Sequence, residues 1–278
     1  LKTIPYVKFL ISITLLILIQ LPLSNSALGE PDNPKLKNER CLKCHGKTGY
    51  SRKGLDGEMR DLHVIAEKFK LSVHGDQDCV GCHEDVSKPK HRKGVTRKVG
   101  CVKCHSDLWA EAQTDGTTEE EKRLGVVVDR IESYMGSVHA RPNIEDQSNT
   151  NATCYNCHDA HYVTPLNSLN NAGNRLKIPY ICGSCHTDTL DTYMTSVHGK
   201  EIGIGNTDAA VCSDCHSTHN ITQTNNVTGR LAVTSKCGNC HQDMMKSYLQ
   251  TYHGKVTLLG YGETAKCYDG HGSHAMKR

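Results

Sequence analysis

Seven times in this chain of 278 residues, two cysteines flank a pair of residues and a histidine follows directly behind the second. The copies are Cys41-Leu-Lys-Cys44-His45, Cys79-Val-Gly-Cys82-His83, Cys101-Val-Lys-Cys104-His105, Cys154-Tyr-Asn-Cys157-His158, Cys182-Gly-Ser-Cys185-His186, Cys212-Ser-Asp-Cys215-His216 and Cys237-Gly-Asn-Cys240-His241. Two thiols at this spacing lie along one turn of backbone and reach the two vinyl groups on one edge of a porphyrin. The histidine behind them then sits under the iron as its first axial ligand. The spacing therefore predicts covalent haem c at each copy, with fourteen thioether sulfurs and His45, His83, His105, His158, His186, His216 and His241 as proximal ligands. Zinc ribbons and redox Cys-x-x-Cys pairs share part of the pattern. Neither calls for the adjacent histidine in all seven copies.

The motifs use all but one of the 15 cysteines, so almost no thiol remains for structural disulfides. The last one opens Cys267-Tyr-Asp-Gly270-His271, an eighth motif whose second cysteine has become glycine. One thioether is the most it offers, and His271 is less firmly placed. Seven haems are expected, and an eighth at Cys267 and His271 is not.

A second repeat supplies histidines for the opposite face of each iron. Phe69-Lys-Leu-Ser-Val-His74, Tyr134-Met-Gly-Ser-Val-His139, Tyr193-Met-Thr-Ser-Val-His198 and Tyr248-Leu-Gln-Thr-Tyr-His253 each follow one haem motif and precede another. Three motifs also extend to Cys-x-x-x-His-x-x-His, giving His158 with His161, His216 with His219 and, at the damaged site, His271 with His274. Ten of the 17 histidines lie outside the seven motifs. With His271 and His274 set aside with their damaged site, the distal candidates are His74, His139, His161, His198, His219, His253, His91 and His63. The last two compete for the place that other repeats give to a His-x-x-His. Met135 and Met194 each precede a better-placed histidine and read as packing residues.

Spacing limits which iron each candidate can reach. If Thr187–Val197 forms one helix, His198 stands about 18 Å from His186. Two axial nitrogens of one iron are only about 4 Å apart, at roughly 2 Å per metal–nitrogen bond. His216 and His219 lie on the same side of one turn. Both distal histidines must therefore serve neighbouring haems, which forces the macrocycles into close contact.

The elements that position these sites read as four two-haem modules, about 41–91, 101–161, 182–219 and 237–274, the last incomplete. The fold class expected is mostly α with extensive coil, packed around haem, with little or no β-sheet. Two Phe and one Trp are too few for an ordinary apolar core at this length, and the mean hydropathy is −0.52. Such a chain needs covalent staples that bring their own apolar volume. Glu111–Glu132 reads as an exposed helix, and Arg141–Thr153 and Tyr162–Lys177 as polar loops.

The formal charge of +3 is no nucleic-acid signal, because two propionates per haem make the loaded protein acidic. Lys88-Pro-Lys90-His-Arg92-Lys93 reads as a docking patch or, more simply, a solvated loop. Lys2 and Lys8 precede an apolar run from Phe9 to Leu21, followed by small residues up to Ser26. This is the pattern of a signal peptide over residues 1–26, with an uncleaved N-terminal anchor as the competing reading. Residues 27–278 then form the haem domain, at about 36 residues per haem, where small cores depend on such staples.

The repeated Ser-Val-His and Cys-x-x-Cys-His-x-x-His elements, over about residues 41–274, resemble the multihaem cytochromes of the doubled-motif type. These include relatives of cytochrome c554, octahaem cytochromes and membrane-bound quinol dehydrogenase cytochromes. The resemblance implies a low-potential electron carrier in the periplasm or outside the cell. Its partners would be a protein donor and a protein acceptor, with a membrane quinol-oxidising complex among the possible donors. An enzyme of the nitrite, hydroxylamine or tetrathionate type would need an open iron. Eight distal candidates for seven irons leave no clear vacancy, so a non-enzymatic carrier is preferred. A self-associating extracellular haem filament is the third reading.

Overall fold

A computed structural model describes residues 36–54, 56–91, 99–115, 118, 121–140, 151–164 and 171–278. The expected leader over residues 1–26, the segment 141–150 and the end of the Lys88–Lys93 run lie outside them.

The haem motifs set the local structure. Each Cys-x-x-Cys must occupy one helical turn, and each is found in, or at the end of, a helix. The first ends α1 (Asn38–His45), and the second is α3 (Cys79–Cys82). Between them come a hairpin of β1 (Ser51–Lys53) and β2 (Met59–Asp61), then α2 (Ala66–Lys70). The hairpin is antiparallel, with Arg52 opposite Arg60, and fully exposed. The third motif opens α4 (Cys101–Asp115), which folds back on α5 (Lys122–Met135). The fourth is α6 (Cys154–Cys157), and the fifth closes α7 (Asn171–Gly183). After α8 (Thr187–Met194) and α9 (Val197–Gly203), the sixth is α10 (Cys212–His216). The seventh closes α11 (Val227–Cys237); α12 (Gln242–Gln250), α13 (Tyr252–Leu258) and α14 (Cys267–His271) follow, the last carrying the damaged motif. The chain is mostly helical, and the described residues hold one two-stranded sheet.

Three local expectations change. Thr187–Val197 is not one helix: α8 stops at Met194, and Ser196 starts α9 by accepting the Gly199 amide with its hydroxyl. An N-cap serine satisfies an otherwise orphaned amide, so it favours a fresh start over continuation. Glu111–Glu132 is not one helix either, because α4 ends at Asp115 and α5 begins at Lys122. The two pack where Gly125 meets the Trp109 ring, an approach that a Cβ at 125 would block. The loop expected over Tyr162–Lys177 is shorter, since α7 begins at Asn171.

The apolar core among the described residues is small. Tyr193, Ile202, Ala209 and Val211 form its buried centre, with Leu176, Ile178, Leu190 and Met194 packed around it. Leu71, Ile204, Leu258 and Leu259 remain exposed. Hydrophobic burial of this extent supplies little of what folding costs in chain entropy, so the chain depends on what its cysteines hold.

The segments α7–α10 and α11–α14 repeat element for element. Tyr193 donates its hydroxyl to the Ala210 carbonyl, 2.7 Å, and Tyr248 donates to Ala265, 2.9 Å. Tyr134 makes the same bond to Ala152, 2.9 Å. Phe69 stands at the matching place in the first repeat and packs edge-on against His161.

Candidate haem sites

The attachment turns are fixed by bonds that the motif itself provides. The amides of His83, His158, His186 and His241 each donate to the carbonyl of the first cysteine of their own motif, 2.8–3.0 Å. This closes one helical turn and sets where the histidine emerges. In the fourth, sixth and eighth motifs, the third residue of the motif caps the turn from inside. Asn156 accepts the Thr153 amide at 2.7 Å, Asp214 the Val211 amide at 2.7 Å and Asp269 the Lys266 amide at 2.8 Å. Asp214 is also gripped by Arg175, whose guanidinium reaches the carbonyls of Thr207 and Ala209 as well.

Every proximal histidine faces one histidine from elsewhere in the chain. Ring centroids are 6.0 Å apart for His45 and His91, 6.2 Å for His83 and His161, and 6.1 Å for His105 and His74. They are 6.0 Å apart for His158 and His219, 6.3 Å for His186 and His139, and 6.2 Å for His241 and His198. His216 faces His274 at 5.9 Å. This spacing is too wide for rings in van der Waals contact. Two metal–nitrogen bonds of about 2 Å, plus roughly 1 Å from each nitrogen to its ring centre, also come to about 6 Å.

The rings suit that group chemically. Burial holds His83, His105, His139, His158, His198, His216, His219 and His274 below the usual histidine range, so each is neutral near pH 7. Neutral imidazole is the ligating form. The buried Nδ1 atoms of His83 and His105 find no hydrogen-bond partner among the described residues. His45 and His74 aim Nδ1 at the carbonyls of Leu62 and Ala160, 2.9 and 3.2 Å, which leaves Nε2 for a metal. The donor sets fit haem iron with two axial imidazoles.

The distal rings are positioned by one recurring bond. The Val73 amide donates to the Val163 carbonyl, Val138 to Ile221 and Val197 to Met276, 2.9–3.0 Å. In each case the donor is the valine of a Ser-Val-His element, and the acceptor lies two residues beyond a His-x-x-His. One bond thus seats two distal histidines at once.

The thiols follow a regular order. First cysteines of successive motifs meet in pairs: Cys41 with Cys79, Cys101 with Cys154, Cys182 with Cys212 and Cys237 with Cys267. Burial, with Cys41 alongside, pushes the Cys79 thiol up to about 11. A hydrogen bond from Cys212 draws Cys182 down to about 7. Between these pairs the second cysteines come near each other: Cys82 with Cys104, Cys157 with Cys185 and Cys215 with Cys240. The attachment edges therefore run in sequence order, each beside the next.

Two distal candidates have no histidine ring against them among the described residues. The His63 amide donates to Asp61. His253 bonds Thr264 through Nδ1 and packs on Tyr252. His274, set aside with the damaged motif, is instead brought to His216. The signal for it was present in the sequence, because His274 has the same spacing from His271 as His161 and His219 have from their own motif histidines.

Residues 71–229 match the family described as outer membrane cytochrome MtrC/MtrF-like, domains II/IV. No curated protein and no solved structure matches the chain. The matched stretch holds five complete motifs and three Ser-Val-His elements, and it covers more than half of the sequence. The chain belongs to the outer membrane cytochrome MtrC/MtrF-like family, and is thus a multihaem c-type cytochrome of the electron-transfer kind.

Proposed function

We propose that this protein conducts electrons along seven c-type haems arranged in four two-haem modules, the last incomplete. The modules run over about 41–91, 101–161, 182–219 and 237–274. Six pairs supply the axial ligands: His45 with His91, His83 with His161, His105 with His74, His158 with His219, His186 with His139 and His241 with His198. The observation that carries the reading is their common separation of 6.0–6.3 Å between rings from distant parts of the chain.

Haem, when bound, supplies an iron that changes between ferric and ferrous. The neighbouring cysteines would hold each macrocycle beside the next, which would keep the hops short. The paired histidines would hold the iron from both sides and so exclude water and small ligands. Bis-histidine ligation also favours low potential, since methionine in one axial place raises it. Interleaving adds rigidity, because a distal histidine from one module closes a site in another.

Export fits this chemistry, and the family description supports a site outside the cytoplasm. The periplasm or the cell exterior is therefore the proposed location, with residues 1–26 as the leader. A protein donor and a protein acceptor would meet the two ends of the row. The doubled motifs also support kinship with cytochrome c554 and the quinol dehydrogenase cytochromes.

Low-temperature electron paramagnetic resonance on the oxidised holoprotein, with carbon monoxide titration of the reduced form, tests the reading. Only low-spin iron and no carbon monoxide adduct are expected. A high-spin haem that binds nitrite, hydroxylamine or carbon monoxide would overturn the carrier and favour an enzyme.

A further inference from the structure

The eighth motif has lost its second cysteine, yet its surroundings keep the contacts of the intact motifs. Cys267 meets Cys237 as Cys212 meets Cys182. Asp269 caps the turn as Asp214 does, and Tyr248 bonds Ala265 as Tyr193 bonds Ala210. Lys266 is 3% exposed and donates Nζ to the carbonyls of Thr264 and Gly262 at 2.6 and 3.3 Å. These two carbonyls are the counterparts of those that Arg175 grips in the preceding repeat. A Cβ built on Gly270 meets nothing within 4 Å, so the missing cysteine removes no packing from the segment.

Beyond the motif, the chain is held more closely still. The Lys277 amide donates to the His271 carbonyl at 2.9 Å, and His271 returns a bond from Nδ1 to the Lys277 carbonyl at 3.1 Å. Gly272 has φ 85°, matching Ser217 at φ 65° in the intact sixth motif. The Val197 amide then clips the segment at Met276, 3.0 Å. The outcome is the ring of His274 at 5.9 Å and 27° from that of His216. His83 with His161 and His158 with His219 are seated by the same bond and the same spacing.

We propose that Cys267–Met276 is a ligand-donating arm. Its His274 supplies the second axial imidazole to the iron held by Cys212, Cys215 and His216, and it does so independently of any haem at Cys267. The arm rests on the bis-histidine reading above. It explains what a motif unable to form two thioethers does for the protein: it closes the sixth haem. Nothing in that role requires a second thiol at position 270, because the ligand comes from the turn behind the motif.

The test uses the full-length, haem-loaded protein. His274→Ala should keep every covalent haem by intact mass and turn one iron high-spin. That iron should bind carbon monoxide when reduced and return to low spin when imidazole is added. His274→Met should stay low-spin, with one haem shifted to higher potential. Cys267→Ser should leave spin state and haem count unchanged. If His274→Ala stays wholly low-spin with its haems in place, or Cys267→Ser opens the same iron, the arm is refuted. Should His274→Ala fail to accumulate, an unshifted potential in His274→Met refutes it equally. High-spin iron in the unmodified protein would instead count against the bis-histidine reading.

Discussion

His219 faces His158, 6.0 Å away and within 7° of parallel, and not His216, three residues before it. The histidine that a motif carries in its own tail thus faces the histidine of a different motif. His161 does the same for His83, across two motifs. Paired in this way, the histidines tie the repeats together: every pair except His45 with His91 joins two modules.

From this relationship, His219→Ala should open the iron held by Cys154, Cys157 and His158 and leave the site of His216 low-spin. One high-spin signal is expected, with an unchanged number of covalent haems. Loss of the signal belonging to the His216 site would show that the two histidines of one tail act together.

His91 and His63 separate in the same experiment. The His91 ring lies 6.0 Å from that of His45, at 6°. The His63 amide, by contrast, bonds Asp61. His91→Ala should create one carbon monoxide-binding haem, and His63→Ala none. The reverse outcome would reassign the first site.

The tyrosine of each repeat is a tie between segments. Tyr193→Phe removes the bond to the Ala210 carbonyl and should cost about 0.5–1.5 kcal/mol of stability, the net contribution of a typical hydrogen bond. Chemical denaturation of the holoprotein measures it, with haem spectra expected to stay unchanged. Phe69, which lacks the hydroxyl in the first repeat, indicates that the ring alone keeps the packing.

Gly199 follows the distal His198 at a place with no room for a side chain. A Cβ there would run into the Tyr193 carbonyl, and one at Gly254 would meet that of Tyr248. Gly199→Ala should destabilise by about 1–3 kcal/mol, as overpacking does. It should also loosen His198, giving a fractional high-spin signal. An alanine variant with full stability and unaltered spectra would remove the steric reason for glycine here.

Much of the site was legible in the sequence because the attachment chemistry is encoded locally. Five consecutive residues specify sulfur, spacing and proximal ligand, so the seven motifs needed no tertiary information. The rings that face the motif histidines come from distant parts of the chain, and only the repeats pointed to them. His274 was set aside with Gly270, although the turn behind that motif keeps its backbone bonds and brings the ring to His216. The break between α8 and α9 had a visible cause, since serine, here Ser196, is a favoured N-cap residue. The β1–β2 hairpin had none: strands of three residues are too short to show alternation. The fold of α4 on α5 was hidden for another reason. Trp109 and Gly125 are distant in sequence, and their fit depends on shape.

The most direct measurement is an experimental structure of the haem-loaded protein that resolves both axial ligands of each iron. The iron on Cys237 and Cys240 should lie between His241 and His198, whose rings are 6.2 Å apart, and each other iron except that of His45 and His91 should likewise span two modules. An iron on Cys237 and Cys240 capped by His253, or left open, would contradict interleaved ligation.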